Sequence, residues 1–215
     1  GYPEKSLWHL VSWSHYLVWD EFQADFIKRF NRHNSIIEEV GVIWFSSQKM
    51  SMNIPMKSIS VFDVTPFRPA VYITLGADVN YYIYNNANPF LSDIQFILGN
   101  NNITMLHKMK RINKLAHKKY TRRVRQLNKK YNYIEAHSSV DALQIIQQTK
   151  ACISMPFTST ALIAKLEGKP SVYYDPSGLI QKDDRAAHGI PVLSSIDELQ
   201  EWVKSICNPP KINTQ

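Results

Sequence analysis

The sequence has few cysteines, no long apolar run and no recognisable signal segment, and each shortage excludes a class of protein. Its two cysteines, Cys152 and Cys207, form neither a CxxC pair nor a Cys/His pattern at metal spacing. We therefore expect two unpaired thiols, no metal site and no tightly bound cofactor. No stretch approaches about eighteen uninterrupted apolar residues, and no basic-then-apolar signal pattern opens the chain. The sequence thus predicts a soluble, cytoplasmic protein.

The chain also lacks an initiator methionine, because it begins Gly1-Tyr2-Pro3. This start indicates a processed chain, an expression remnant or a fragment of a longer protein. The 215 residues that are present include 44% hydrophobic and 12% aromatic residues. That content supports a core for one large domain, or for one domain with an appendage.

The net charge of +7 is concentrated in one segment. Residues His107–Lys130 hold eleven of the 25 Lys and Arg residues and no acid, whereas the remainder has 14 basic and 18 acidic residues. Such a field attracts phosphates, an anionic membrane face or nucleic acid. Apolar residues spaced 4, 4, 3 and 4 apart predict a helix here, with one buried and one cationic face. These residues are Ala116, Tyr120, Val124, Leu127 and Tyr131.

The chain is organised around Ala151–Pro176, which has the pattern strand, polar turn, helix, break and second strand. The hydroxyls of Thr158–Thr160 are typical helix caps, Gly168 ends the helix, and Ser171–Tyr174 is the second strand. A helix that begins just after a strand directs its free N–H groups and positive dipole end toward the crevice where open α/β sheets bind ligands. The pattern therefore favours an anion such as phosphate, although hydroxyls that only cap the helix fit it equally well.

Alternating strands and helices over 58–207 predict an α/β, Rossmann-like three-layer domain with a parallel sheet. We interpret residues 1–47 as the tail of a preceding α/β domain, 48–57 as a connector and 208–215 as a C-terminal tail. The aromatic segment through Tyr84 is left unassigned. The predicted strands are Trp8–Ser14, Ile36–Phe45, Ser58–Val64, Ile103–His107, Tyr133–Ala136, Ala151–Ser154 and Ser171–Tyr174. Two predicted helices cover Asp20–Arg29 and Pro89–Leu98. Two others begin at Ser139 and at the Ser195–Glu198 capping box.

Three motifs, each at the carboxyl end of a predicted strand, carry a resemblance to a known family. They are VFDVTPFRP at Val61–Pro69, the basic group Lys108–Arg111, and PFTSTA with GKPSVYYDPSG within Pro156–Gly178. With them, Trp8–Cys207 resembles the C-terminal half of GT-B glycosyltransferases of bacterial surface-carbohydrate and lipopolysaccharide biosynthesis. In such enzymes this half binds a nucleotide-sugar donor, and the N-terminal half binds a glycan or lipid-linked acceptor. The resemblance implies that part of the acceptor domain lies outside this chain.

One departure from that family concerns the donor. In many UDP-sugar GT-B enzymes, a carboxylate that binds the ribose lies five positions before the Gly of the Gly-x-Pro turn, and here that position is Ile163. An isoleucine cannot accept hydrogen bonds from ribose hydroxyls. The resemblance therefore favours a CMP-linked acidic sugar of the sialic or Kdo kind, whose transferases use a Ser/Thr-rich loop for the phosphate.

The candidate site consists of the polar residues that follow the predicted strands. We assign the donor phosphate to Thr158–Thr160, and stabilisation of the leaving nucleotide to the cations Lys108, Lys110 and Arg111. The full nucleotide-binding set is Thr65, Arg68, Lys108, Lys110, Arg111, Ser154, Thr158, Ser159 and Thr160. Candidates for base or sugar contacts are Glu135, His137, Ser139 and Asp175. A surface role for Arg68, a helix cap for His137–Ser139 and an Asp-Pro turn for Asp175 are the structural alternatives, and no catalytic base is assigned.

Three other classes of function stay open. A sugar-nucleotide epimerase would use the same fold and the same phosphate loop. A non-catalytic domain would bind nucleotide without turnover. A nucleic-acid-binding module would explain the basic segment, but no RNA- or DNA-binding motif accompanies it, so no nucleic-acid partner is expected. The basic segment is instead compatible with peripheral contact to the inner membrane face.

Overall fold

The computed structural model describes residues 13–30, 34–41, 53–74, 81–110 and 115–207. Most of the predicted strand Trp8–Ser14, the later part of Ile36–Phe45, Arg111 and the C-terminal tail lie outside these ranges. The proposed boundaries between tail, connector and domain therefore stay predictions. Among the helices within the described ranges, none is long and apolar enough to cross a bilayer.

A small β-α-β unit precedes the main sheet. Its two strands are parallel, and its helix carries the predicted Phe22 and Phe26 periodicity. The first strand begins at His15, just beyond the predicted end at Ser14, because burial alternates along residues 15–18 as a half-buried strand requires. The elements are β1 (His15–Val18), α1 (Glu21–Phe30) and β2 (Ile36–Glu39).

The main sheet has six strands, all parallel, in the order β5-β4-β3-β6-β7-β8. The predicted α/β fold with a parallel sheet is confirmed. Because β3 lies beside both β4 and β6, the strand order reverses at the β3–β6 pair. The strands are β3 (Ser58–Asp63), β4 (Thr104–Met109), β5 (Tyr133–Glu135), β6 (Cys152–Ser154), β7 (Ser171–Tyr174) and β8 (Val192–Leu193).

Helices cover both faces of this sheet, which gives three layers. Side chains of α3, α4 and α7 pack with Val61 and Ile153 in one apolar cluster, whereas α5 and α6 pack with Phe62 and Leu106 in another. Both faces are thus dry, as a parallel sheet requires. The helices are α2 (Pro69–Thr74), α3 (Tyr84–Asn100), α4 (Lys118–Leu127), α5 (Ala142–Gln148), α6 (Ser159–Leu166) and α7 (Ile196–Cys207).

Several helix boundaries differ from the prediction. α3 begins at Tyr84 and contains Pro89, because burial of Ala87 and Phe90 on the sheet outweighs a proline cost of about 3 kcal/mol. The helix expected at Ser139 begins at Ala142 instead, since the carboxylate of Asp141 accepts the cap hydrogen bond from the Leu143 N–H at 2.8 Å.

Two further predictions were wrong in part. Tyr131 was assigned to the buried stripe of α4 but is 84% exposed, because the helix ends at Leu127 and its periodicity ends there too. Strands and helices do not alternate throughout, since β7 and β8 are joined by a long loop whose regular structure is one 3-10 turn at Arg185–Ala187. β8 and the short α2 were not predicted.

A buried polar chain links α4 to three strand residues near the carboxyl edge of the sheet. The Tyr120 hydroxyl donates to Oδ2 of Asp63 at 2.6 Å, and Oδ1 of Asp63 lies 3.3 Å from Nε2 of His107. The other ring nitrogen of His107 lies 2.7 Å from the Tyr133 hydroxyl. Asp63 and His107 are 1% and 0% exposed, so this chain is sealed from water. Hydrogen bonds satisfy Oδ2 of Asp63 and Nδ1 of His107, whereas Oδ1 of Asp63 and Nε2 of His107 are buried without a hydrogen-bond partner among the described residues.

We predict that Tyr120→Phe lowers the free energy of unfolding by about 1–3 kcal/mol, because it leaves Oδ2 of Asp63 buried without a donor. Urea denaturation followed by fluorescence measures this. Tyr131→Phe removes the same hydroxyl from an exposed ring and should change the free energy by less than about 0.5 kcal/mol. Equal losses in the two variants would contradict the role given to the buried chain.

Candidate functional site

The carboxyl edge between β3 and β6 forms the central crevice of the sheet. Phe62 and Ser154 are register partners on these strands, and the Met155 N–H donates to the Phe62 carbonyl at 2.9 Å. Beyond this pair the two chains diverge, since β3 leads toward α3 and β6 leads into α6 on the opposite face. Crevices at such reversals of strand order are where open α/β sheets bind ligands.

A cluster of hydroxyls lies on the β6 side of the crevice. Oγ of Ser154 lies 2.9 Å from Oγ1 of Thr160, and Oγ1 of Thr158 lies 3.3 Å from the same atom. Thr158 also donates to the Met155 carbonyl at 2.8 Å, and its own carbonyl accepts from the Tyr173 hydroxyl. The structure thus brings together three of the predicted phosphate-binding residues. Their mutual contacts hold the loop in one arrangement.

The amino end of α6 opens beside this cluster. Thr158, one of the three predicted cap residues, is the residue before the helix, but its side chain makes no cap hydrogen bond because it is turned to the Met155 carbonyl. Ser159 is exposed, and neither its hydroxyl nor its N–H bonds to another residue within the described ranges. Phe157 has a φ of 60°, a left-handed conformation that is costly for a bulky residue. The hydrogen bonds of Thr158 with Met155 and Tyr173 hold the turn that leads into α6 in this conformation.

The predicted cations are not all directed at the crevice. In the sheet, Lys108 and Ser154 are the register partners of Phe62 on its two sides. The ammonium of Lys108 nevertheless donates to the carbonyls of His137 at 3.4 Å and Ser138 at 3.0 Å. Partial burial lowers the pKa of Lys108, and the nearby charge of Asp141 opposes that effect. Lys110 is exposed directly beyond β4. Lys108 therefore anchors the loop after β5, whereas Lys110 projects into solvent at the edge.

The loop after β3 is attached to the chain that enters α4. Phe67 forms an antiparallel bridge with Ala116, and the Arg68 N–H donates to the Leu115 carbonyl at 3.0 Å. Arg68 is exposed, while Thr65 is buried and hydrogen-bonds to the Tyr120 side chain. Thr65 is therefore part of the packed edge, and Arg68 is the exposed member of this pair.

The candidate base and sugar contacts at the end of β5 bond mostly to near neighbours. Glu135 accepts a hydrogen bond from the Asn128 amide, and Nδ1 of His137 lies 2.6 Å from the Ser139 hydroxyl. His137 and Ser139 are exposed at the end of β5, which lies three strands away from β6 and its hydroxyl cluster. Adjacent strands are about 4.8 Å apart, so one ligand must extend roughly 14 Å along the edge to contact both groups.

Asp175 organises the turn after β7. It is fully buried and accepts hydrogen bonds from the N–H groups of Ser177 and Ile180, from the Ser177 hydroxyl and from the Tyr81 hydroxyl at 3.0 Å. This geometry matches the Asp-Pro turn and leaves the carboxylate little capacity for a sugar hydroxyl. Burial and the Asp175 charge together raise the pKa of Tyr81.

Sequence reasoning missed Tyr81 and Tyr82, which attach the segment before α3 to the residues that follow β7 and β6. The Tyr82 hydroxyl donates to the Pro156 carbonyl at 2.9 Å, and the Tyr72 hydroxyl donates to the Tyr82 carbonyl at 2.8 Å. Both tyrosines belong to the segment left unassigned above. Its density of aromatic residues, YYIY at 81–84, was the available signal.

A cavity lies on the flank of the domain. Its volume is about 600 Å³, and α1 forms one wall while the loop between β7 and β8 forms the other. The walls include Phe22, Phe26 and Arg29 on α1, with Leu179 and Asp183 opposite. His188 and Arg185 of the loop pair with Asp20 and Asp25, respectively, which holds the two walls together.

Comparison with known proteins gives one family and several distant structures. The model for the "Polysaccharide biosynthesis PFTS motif protein" family matches residues 4–203, and the letters of that motif occur at Pro156–Ser159. None of the curated proteins matches the sequence.

Three solved structures are similar to this chain at low identity. The Methanocaldococcus jannaschii UDP-GlcNAc 2-epimerase, in complex with UDP-GlcNAc and UDP, has a TM-score of 0.44 at 10% identity, over 71% of this chain and 39% of that chain. The pneumococcal O-GlcNAc transferase GtfA, in complex with UDP and GlcNAc, has a TM-score of 0.46 at 12% identity, over 90% and 38%. Thermosulfurimonas dismutans KpsC, a beta Kdo 2,4 transferase, has a TM-score of 0.37 at 10% identity, over 85% and 54%. This chain spans less than two thirds of the length of each.

We predict that Asp175→Ala releases the turn 176–180, because two N–H groups and two hydroxyls lose their acceptor. The free energy of unfolding should fall by about 2–3 kcal/mol, and trypsin should cleave after Lys182 at least about tenfold faster. Glu201→Ala, which removes an exposed carboxylate from α7, is the control and should change the free energy of unfolding by less than about 0.5 kcal/mol and leave the cleavage after Lys182 unchanged. Unchanged cleavage in Asp175→Ala would contradict the organising role.

Proposed function

Because this chain belongs to the PFTS-motif family of polysaccharide biosynthesis proteins, we propose that it is the donor-binding half of a glycosyltransferase. It would hold a nucleotide-linked sugar for transfer to a surface polysaccharide or lipopolysaccharide acceptor. The observation that carries this proposal is the position of Pro156–Ser159. The motif follows β6 directly, at the reversal of strand order, and leads into the amino end of α6.

The donor phosphate would lie at the amino end of α6. Free N–H groups and the positive end of the helix dipole favour an anion there. The exposed hydroxyl of Ser159 would add a donor, while Ser154, Thr158 and Thr160 keep the loop in shape through their mutual contacts. Preorganised donors of this kind stabilise charge on a leaving nucleotide without reorganisation during the reaction.

The cations of the edge would assist through charge. Lys110 and Arg68 are exposed beyond β4 and β3, on strands adjacent to the crevice. Lys108 would contribute more weakly, because its ammonium already bonds to two carbonyls of the loop after β5. Arg111 keeps its proposed phosphate role from the sequence alone. In this proposal the far end of an extended ligand contacts Glu135, His137 and Ser139.

The base is proposed to be cytosine, with the donor a CMP-linked acidic sugar. Ile163 is 3% exposed within an apolar cluster, so the middle of α6 offers no acceptor for ribose hydroxyls. Glu167, the nearest carboxylate further along, accepts from the Gln147 amide at 3.0 Å. Both observations support a nucleotide that is held through its single phosphate.

The acceptor is proposed to be a glycan or a lipid-linked glycan. The cavity beside α1 supports this, since Phe22, Phe26, Gln23 and Asp183 combine aromatic faces with hydrogen-bonding groups, and its volume lies within the range of about 300–1,000 Å³ usual for ligand pockets. The setting expected from the sequence, the cytoplasm with contact to the inner membrane face, is part of the proposal.

We predict that nucleotides stabilise the protein against heat, by about 2.7 kcal/mol at a concentration near 100 times Kd. A thermal-shift panel of CMP, UDP, GDP, ADP and dTDP followed by calorimetry tests this, and CMP should bind more tightly than UDP. Ser159→Ala should weaken CMP binding about tenfold to hundredfold, because it removes one hydrogen bond to a charged phosphate. Ser205→Ala, on the exposed last turn of α7, is the control and should have no effect.

Three outcomes of this experiment separate the alternatives. No shift with any nucleotide would contradict the donor site. UDP binding tenfold more tightly than CMP would reject the CMP donor while keeping a glycosyltransferase. Turnover of a nucleotide sugar without an acceptor would favour an epimerase instead.

We predict that Lys110→Ala weakens nucleotide binding about twofold to fivefold, as expected for one solvent-exposed cation near a phosphate. Added salt should reduce the difference between Lys110→Ala and the parent protein. Lys150→Ala is the matched control, because Lys150 is an exposed lysine that precedes β6, at the opposite edge of the sheet. Calorimetric titration at two salt concentrations measures both variants. If Lys150→Ala weakens binding equally, general charge rather than position explains the effect.

A further inference from the structure

The outward face of α4 carries a stripe of cations. Its inward face packs in the core through Tyr120, Val124 and Leu127, which are 1%, 5% and 1% exposed. The exposed cations that stand two positions away from these residues lie on the opposite side of the helix, at about 100° per residue. They recur at spacings of four, three and four and continue into the turn after the helix. They are Lys118, Arg122, Arg125 and Lys129.

No acid compensates this charge. Lys118–Lys130 contains seven Lys and Arg residues and neither Asp nor Glu. Within the described part of the chain, none of the ion pairs includes a residue of this segment. The next acid, Glu135, accepts its hydrogen bond from the uncharged Asn128 amide. Five of these like charges are therefore held together by a helix whose other face is fixed in the core, and two more follow in the turn after it.

Exposed apolar side chains bracket the cationic stripe. Tyr131 is 84% exposed just after α4, and Leu115 is 48% exposed just before it. An isolated exposed apolar residue has no special meaning. Tyrosine, like tryptophan, is nevertheless enriched at the boundary between lipid headgroups and acyl chains, and here it lies beside lysines.

We propose that the face formed by Leu115–Tyr131 docks on the surface of an anionic phospholipid bilayer. The cations would contact headgroup phosphates, and Tyr131 would enter the interface. Nucleic acid is the less favoured partner, because Tyr131 would be able to stack on an unpaired base but the exposed Leu115 has no comparable role there, whereas a bilayer interface accommodates both. The proposal does not rest on nucleotide binding, since none of these residues belongs to the crevice.

The test is sedimentation of the full chain with vesicles of phosphatidylcholine alone or with about 30% phosphatidylglycerol. We expect binding to the anionic vesicles, little binding to the zwitterionic ones, and loss of binding as salt rises. Each basic residue near an anionic surface contributes roughly fivefold in affinity. Replacing Lys118, Arg122, Arg125 and Lys129 with glutamine should therefore weaken binding by roughly several hundredfold.

The control variant removes the same charge elsewhere. It replaces Lys28, Lys150, Lys182 and Lys204, which are exposed on other surfaces, with glutamine. The control should retain most vesicle binding, and both variants should keep the parent Tm and CMP affinity. If the control loses as much vesicle binding as the α4 variant, net charge rather than this face is responsible, and the proposal is overturned.

Tyr131→Ser distinguishes a bilayer from a soluble polyanion. It should weaken vesicle binding severalfold while leaving binding to a double-stranded RNA unchanged, because the bases of a duplex are not open to an aromatic side chain. Binding to the RNA together with no binding to anionic vesicles would overturn the proposal in favour of a nucleic-acid surface. No binding to anionic vesicles at low salt would overturn it as well, whatever the result of nucleotide titration.

Discussion

The pairing of β3 with β6 is the contact on which the candidate site depends. It is fixed by the Phe62–Ser154 register and is reinforced on the amino side, where the Ser60 N–H and hydroxyl both donate to the Ala151 carbonyl at 3.0 Å. Because the chain leaves these two strands toward opposite faces, the pair creates the crevice and also brings the motif Pro156–Ser159 to its rim. Loss of this register would remove the site without altering any polar residue.

The polar chain from Tyr120 to Tyr133 connects that edge to the basic helix. Asp63 ends β3 and accepts from Tyr120 of α4, so the helix that presents cations to solvent is also fixed to the strand beside the crevice. Thr65, two residues after Asp63, bonds to Tyr120 as well. One helix therefore has two physically separate faces, and substitutions on the outer face leave the inner contacts intact.

Local periodicity predicted most elements but assigned single residues less well. Phe22 and Phe26 correctly indicated α1, and the run Ser171–Tyr174 correctly indicated β7, because each pattern depends on neighbours a few residues apart. The cap at Asp141 rather than Ser139 shows the limit of this reasoning. Both residue types cap helices, and the choice depends on the tertiary position of the preceding strand. The prediction that Tyr131 is buried was wrong for a related reason, because helical periodicity does not continue beyond the residue at which the helix ends.

The position of the candidate site on the sheet could be predicted from the sequence. Which of its residues already form hydrogen bonds within the protein could not. Tyr81 bonds to Asp175 across 94 residues of sequence, and Tyr82 to Pro156 across 74, so no local pattern could reveal either contact. These contacts change the chemistry expected of the edge. Asp175 and Thr158 are occupied within the protein, whereas the N–H and hydroxyl of Ser159 have no partner among the described residues. Recognition of an anion here would therefore depend mainly on backbone N–H groups at the start of α6, held in position by hydroxyls that do not themselves contact the ligand.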